Sequence, residues 1–331
     1  MAENRQIPTR VAAEGVVTAT ITVDGNDIDP AFELLSINVR DVLNRIAQAQ
    51  LVILDGNAAD EDFTASTSEV FVPGQRIEIK LGYNSDEETV FSGIIVKHSI
   101  KVRPSGNTAL MLDCRAETIK MTLGRQSRYF YDKTDSDAIE ELLQGYRIDA
   151  SVASTAYNHA ELIQYDLSDW DFLMARAEAN GLVTYFQDGQ LHCQAPKATA
   201  NPSLDLVFGA TILELDAEID AREQLQAVTA ESWDPTQQER QQISAATPSF
   251  DQPGNLDAGS LAASFTPEEW FLRHGGELAS EELQAWADAQ FLRHRLAKVQ
   301  ARVRVPGNTE VKPNSTVNLQ GLGARFNGTA F

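Results

Sequence analysis

PGQRIEIKLG, residues 73–82, alternates Ile77, Ile79 and Leu81 with Arg76, Glu78 and Lys80. Alternation at period two sends successive side chains to opposite faces, so this stretch reads as a half-buried strand. The polar run NSDEET (84–89) then makes a turn, and VFSGI (90–94) returns with Phe91 and Gly93. The same grammar recurs near the other end. PNSTVNLQG (313–321) sets Pro313, Val317 and Leu319 where Pro73, Ile77 and Ile79 stood, and RFNGT (325–329) supplies Phe326 and Gly328. Both copies read proline, strand, turn, Phe-x-Gly.

A second correspondence lies upstream of each copy. FELLSINVRDVLNRIAQAQLVILDG (32–56) resembles ILELDAEIDAREQLQAVTAESWDP (212–235), with Ile46, Ala49, Leu54 and Asp55 matching Leu225, Val228, Trp233 and Asp234. A one-residue shift separates the first halves of this pair. One small β-barrel or sandwich used twice accounts for both correspondences. The first copy runs on through IIVKHSIKV (94–102), a turn at Pro104 to Asn107, and TALMLDCRAETIKMTL (108–123). The second reaches Thr329-Ala330-Phe331 before equivalent strands appear, so further strands are expected to follow, because an open sheet edge invites aggregation.

Residues 126–203 separate the copies as an α+β unit. Ser168 is placed to cap a helix, Asp169 and Asp171 put acids in its first turn, and Trp170, Leu173, Met174 and Ala177 form its core stripe. Asn180-Gly181 stops that helix. LVTYF, Asp188-Gly189 and QLHC then predict a hairpin with a type I′ turn that sets Phe186 opposite Leu191 and Tyr185 opposite His192. Inside the second copy, residues 236–300 insert a Gln, Ser, Pro and Gly-rich loop and a helix near 280–297. Ser280 is its expected cap, and Leu283, Trp286, Ala287 and Phe291 lie along one face. Val299, Ala301, Val303 and Val305 then switch to strand period.

Composition narrows the function classes. In 331 residues, 27 Lys plus Arg face 48 Asp plus Glu, a formal net charge of -21. Such a surface repels phosphate backbones, which argues against nucleic acid as a partner. MAENRQIPTR lacks the apolar core of a secretory signal, and no run of 18 apolar residues supplies a membrane helix, so the chain is expected to be made in the cytoplasm without stable membrane insertion of this region. Cys114 and Cys193 have no C-x-x-C partner and read as two buried thiols.

Motifs for chemistry fail one by one. His192 and Cys193 are neighbours on a strand and point to opposite faces, which removes a Cys/His nucleophile. His98 lies in a strand, His159 follows a loop, His274 precedes Gly275-Gly276 and His294 sits in RHRLAK; no H-E-x-x-H occurs. DGNAADEDF (55–63) begins like a calcium loop with Asp55 and Asn57 but has Ala59 and Asp60 where an oxygen ligand and glycine belong, and DGNDID (24–29) fails at Ile28. No G-x-S-x-G, P-loop or G-x-G-x-x-G is present. No residue is therefore assigned as catalytic, cofactor-binding or metal-binding, and no cofactor is expected.

PGQRIEIKLGYNSDEETVFSGIIVKHSIKV (73–102), SDWDFLMARAEANGLVTYF (168–186) and LRHRLAKVQARVRVPGN (292–308) with VNLQGLGARFNG (317–328) resemble the hub part of VgrG-like spike proteins. Those proteins are shared by contractile phage tails, type VI secretion systems and extracellular contractile injection systems. The resemblance runs from about residue 14 to the end, and the first copy resembles the extracellular branch more than type VI spikes. It implies a mainly β fold with an α+β insertion and two tandem tube-type β-barrel domains per chain, as in phage tail hub proteins. The implied spans are an N-terminal arm (1–13), a first hub barrel (14–125), the α+β domain (126–203), and a second hub barrel (204–331) with its 236–300 insertion. It further implies a homotrimer whose six barrels adapt hexameric inner tube rings to a trimeric spike, in a phage-tail-like particle, with no chemical step. The implied partners are the tube, baseplate proteins, and the spike's C-terminal region with its tip or cargo. Two other classes stay open, a carboxylate-dependent hydrolase and a monomeric carbohydrate-binding β module. The hydrolase needs a pocket with converging acids. The module needs exposed aromatic platforms, for which Trp270 is the free candidate, since Trp170 and Trp286 face the core and Trp233 ends a strand.

Overall fold

The computed structural model describes residues 15–103, 108–187, 189–265 and 267–331. The arm, the turn at Pro104 to Asn107, and Asp188 of the hairpin turn lie outside them. The first unit contains β1 (Val17–Val23), β2 (Asn26–Asp27), β3 (Leu34–Arg40), β4 (Gln48–Leu54), α1 (Thr64–Thr67), β5 (Arg76–Tyr83), β6 (Asp86–Lys101) and β7 (Ala109–Arg115). Its strands make one sheet in the order β2-β1-β5-β6-β7-β4-β3. Ile21, Leu51, Ile53, Ile77, Ile79, Phe91, Ile95, Leu110 and Leu112, from five of those strands, share one buried core.

The short connection between the two ends of that sheet explains its shape. A flat sheet of seven strands separates its edges by about 29 Å, six spacings of roughly 4.8 Å. Only residues 28–33 join β2 at one end to β3 at the other, and seven extended steps reach at most about 25 Å. The chain also turns there: the Asp29 carbonyl accepts from Phe32 N at 3.0 Å and its carboxylate from Ala31 N at 2.8 Å. The sheet therefore curls until its ends approach, as a barrel wall does. Phe32, carried on the connection, packs on fully buried Phe71 at 5.2 Å between ring centroids.

A middle unit follows: β8 (Gln126–Thr134), α2 (Asp135–Tyr146), β9 (Ala150–Val152), β10 (Asn158–Leu167), α3 (Asp169–Ala179), β11 (Val183–Gln187) and β12 (Gln190–Gln194). Its core gathers Met121, Phe130, Ile139, Leu142, Leu173, Ala177 and Cys193. Ser168 caps α3 by accepting from Asp171 N at 3.1 Å, and the hairpin pairs Tyr185 with His192 and Phe186 with Leu191, as the sequence predicts. The helix stripe differs in detail. Phe172 is buried and stacks on Phe130, while Trp170 is only partly covered. Asp169, in the first turn as expected, is 1% exposed and accepts from Arg128, Tyr146 and Gln164. These groups come from β8, α2 and β10, so the rotation of α3 is set by tertiary partners that its own periodicity cannot show.

The last part contains β13 (Leu204–Val207), β14 (Glu214–Ile219), β15 (Val228–Asp234), β16 (Glu239–Ser244), α4 (Ala258–Phe265), β17 (Trp270–Arg273), α5 (Ser280–Leu296), β18 (Val299–Arg304), β19 (Val317–Gln320) and β20 (Gly328–Ala330). They form three smaller sheets, β13-β19-β20, β14-β18 and β16-β15-β17. Ala279, not Ser280, is the N-cap of α5, and the Glu282 carboxylate accepts the Ala279 N–H at 3.3 Å. Ser280 instead donates to Glu281.

The repeat is visible in three dimensions. Asp55 and Asp234 are both buried at the ends of matching strands, and both accept backbone N–H groups from the chain that follows: Gly56 and, in α1, Ala65 and Ser66 for Asp55, Thr236 and Gln237 for Asp234. Both Phe-x-Gly hairpins form, antiparallel, with Ile77 opposite Gly93 and Leu319 opposite Gly328. By sequence Leu319 corresponds to Ile79, so the second pairing is offset by two residues. An even offset keeps every side chain on its face. The neighbouring pairing does change: β1 runs antiparallel to β5, whereas β13 runs parallel to β19.

Two substitutions test this wall. Ile77 is 2% exposed between β1 and β6, so Ile77→Asp buries an unpaired charge and is expected to abolish folding of the first unit, read as loss of the cooperative melting transition. A Cβ on Gly93 would lie 2.2 Å from the Arg115 carbonyl oxygen, so Gly93→Ala should cost about 2–4 kcal/mol in denaturant melts.

Candidate functional site

Exposed apolar side chains gather on the outer face of the β8–β10 ribbon. Register sets Phe130 opposite Leu162 on the inner face, where both are buried, and Tyr129 opposite Ile163 on the outer. Tyr129, Tyr131, Ile163 and Tyr165 are 58%, 60%, 50% and 78% exposed, and the two tyrosine rings on β8 lie nearly parallel, 6.1 Å apart. Charges of both signs flank them, with Arg125 on Asp166 at 3.1 Å and Lys133 on Glu141. Contiguous exposed apolar groups on a ribbon with few strands mark an interaction face. The sequence carried a signal for it. Three consecutive aromatics, Tyr129-Phe130-Tyr131, in one strand must place aromatic rings on both faces.

A part-buried charge cluster joins the middle unit to α5. Arg176 on α3 grips Asp135 through Nε at 2.5 Å and Nη2 at 2.9 Å, and Asn180 donates to the same carboxylate at 2.7 Å. His159 on β10 stands 3.2 Å from Asp135 and 3.6 Å from Glu282 of α5, which also lies 3.5 Å from Arg176. Burial works to raise the Asp135 pKa, but Arg176, Asn180 and His159 outweigh it and hold the carboxyl below its usual range. Two carboxylates thus converge here, yet both are tied to Arg176 and His159. This arrangement fastens elements together.

The other singled-out groups serve structure. His98 lies 2.7 Å from Ser66 Oγ and 2.9 Å from the Phe71 carbonyl. In the 55–63 loop, Asp55 is turned to backbone amides, and among the described residues no three His, Cys, Asp or Glu side chains gather as a metal site would require. Cys114 and Cys193 are fully buried in separate cores, and burial pushes each thiol up to about 12. Trp233 and Trp270 are 44% and 46% exposed, so the free aromatic set is wider than Trp270 alone. No described helix is long and apolar enough to cross a membrane.

A model of the family described as the Alg8 N-terminal domain matches residues 13–331. The chain belongs to the Alg8 N-terminal domain family. Solved structures similar to this family member include tail proteins. The 43 kDa tail protein of prophage MuSo2 from Shewanella oneidensis has 12% identity and a TM-score of 0.69, covering 95% of this chain and 92% of that one. A tail protein from Neisseria meningitidis MC58 has 16% identity and a TM-score of 0.64 over 95% and 89%. The prophage tail protein gp18 from Listeria monocytogenes EGD-e has 9% identity and a TM-score of 0.52 over 94% and 87%. What is shared at these identities is the fold, the mainly β tail-protein architecture that the sequence resemblance implies. No curated protein matches the chain.

One half-buried acid makes a test of the contact between units. Asp41 lines a crevice with Phe91, Phe186, Val311 and Pro313, and its Oδ1 has no hydrogen-bond partner. Burial raises its pKa from 3.8 to about 6, partly offset by the Val42 amide. Raised in the folded state, this group stabilises the fold when protonated, and that contribution is lost as pH rises from about 4 through 6. Asp41→Asn should therefore stabilise the protein by about 1 kcal/mol at pH 7.5, with the gain gone at pH 4, as read from paired thermal melts.

Proposed function

We propose that the chain is the structural hub of a phage-tail-like contractile injection system. In this reading three copies form a homotrimer that adapts a hexameric inner tube to a trimeric spike. The observation that carries it is the internal repeat, with its paired buried aspartates and its two Phe-x-Gly hairpins. Two similar β units per chain, taken three times, give six similar lobes around a threefold axis, and such a surface meets a sixfold ring without leaving half of its contacts mismatched. The units are those spanning 14–125 and 204–331, with 126–203 between them. The work done is binding and load transfer, with tube rings, baseplate proteins and the spike's C-terminal region as partners, in a particle assembled from protein made in the cytoplasm.

The β8–β10 face is the surface we assign to contact between copies. Its flanking charges are of both signs, so like surfaces can meet there despite a net charge of -21. Light scattering of the purified protein is expected to give three times the chain mass. Tyr131→Asp with Tyr165→Asp should leave the fold within about 0.5 kcal/mol of wild type, since both rings are exposed, and should shift the mass to monomer. A monomeric wild type would overturn the hub reading; a trimeric double variant would overturn the assignment of this face.

The parallel Tyr129 and Tyr131 rings favour one second reading, a monomeric glycan-binding module that stacks a sugar on them. That reading predicts a monomer whose affinity for a soluble glycan is lost in Tyr131→Ala.

A further inference from the structure

The buried face of α5 carries a feature that the hub reading does not use. Its stripe Leu283, Ala287 and Phe291 continues one turn further to Arg295, which is 6% exposed, and Lys298 just beyond is 3% exposed. Both side chains line a hollow of about 670 Å³ bounded by residues 247–259. Lys298 Nζ donates to the Leu256 carbonyl at 3.1 Å. The Arg295 guanidinium lies over the Phe291 ring at 4.8 Å, and its Nη1 has no hydrogen-bond partner among the described residues.

No carboxylate among the described residues bonds to either cation. The nearby acid, Asp257, is turned to the start of α4, where it accepts from Ser260 N at 2.7 Å and Ser260 Oγ at 3.0 Å. Asp251 borders the neighbouring crevice, which Arg295 and Lys298 also line, and is exposed. Burial lowers the pKa of both Arg295 and Lys298, and Asp257 acts from a distance to offset part of that. A buried cation without a bonded counter-charge destabilises the fold that holds it. In a chain with 48 acids and 27 basic residues, two such cations side by side define a local positive site.

We propose that this hollow binds a phosphate-class oxyanion, held by Arg295 and Lys298. A guanidinium fork and an ammonium together supply more donors than a planar carboxylate with two oxygens can use, and suit a tetrahedral group with several acceptor oxygens. Asp257 tempers the affinity by its charge. The site stands independently of the hub reading.

Thermal melts of the whole protein in inorganic phosphate, against chloride at equal ionic strength, test the site. The expected result is a saturable rise in Tm with phosphate that chloride does not reproduce. Lys298→Met should abolish the rise and, with one buried charge removed, melt above wild type in phosphate-free buffer. Asp257→Asn, which keeps a capping side chain, should lower the half-saturating phosphate concentration at least threefold. A phosphomonoester such as glycerol phosphate that saturates at lower concentration than phosphate would identify the ligand as a phosphorylated molecule; equal or weaker binding would identify the free ion. Absence of a saturable response in wild type, or an undiminished response in Lys298→Met, would overturn the proposal.

Discussion

Everything in the first unit depends on a length that the chain cannot exceed. Residues 28–33 must reach from one end of a seven-stranded sheet to the other, and a flat sheet is too wide for them. Curling solves the distance and simultaneously turns one face of five strands onto a shared core. The alternation in Ile77, Ile79 and Leu81 then has a single inside to point to, and Gly93 is held to glycine because β7 passes too close for a side chain.

Contacts between units combine hydrogen bonds, ion pairs and apolar packing. Asn44, in left-handed conformation, donates its amide to the Thr184 carbonyl at 2.7 Å and accepts the Thr184 N–H at 2.9 Å, joining the first unit to the hairpin. Phe186 beside it packs against both cores. On the far side, Asp135, His159, Arg176 and Glu282 tie the middle unit to α5, where Ala289 meets Gly181 closely.

Local pattern carried much of this into the sequence. Period-two stretches, the Ser168 cap and the Tyr185–His192 pairing were legible because each is decided within about ten residues. The charge cluster was not, since its members are spread from Asp135 to Glu282 and no spacing rule connects them. The burial of Asp169 has the same cause: its partners Arg128 and Tyr146 arrive from other elements. The exposed tyrosines were hidden by their own composition, because an aromatic on each face erases the polar alternation that marks an outer surface. The repeat was legible in residue identity, while its two-residue offset and the reversal of the neighbouring strand depend on packing that identity does not encode.

The central claim is that duplication within one chain converts threefold into sixfold symmetry. Negative-stain images of the assembled protein viewed down its axis test it most directly. The account predicts six lobes of similar density in an even ring; three lobes separated by gaps, or particles without rotational order, would contradict it.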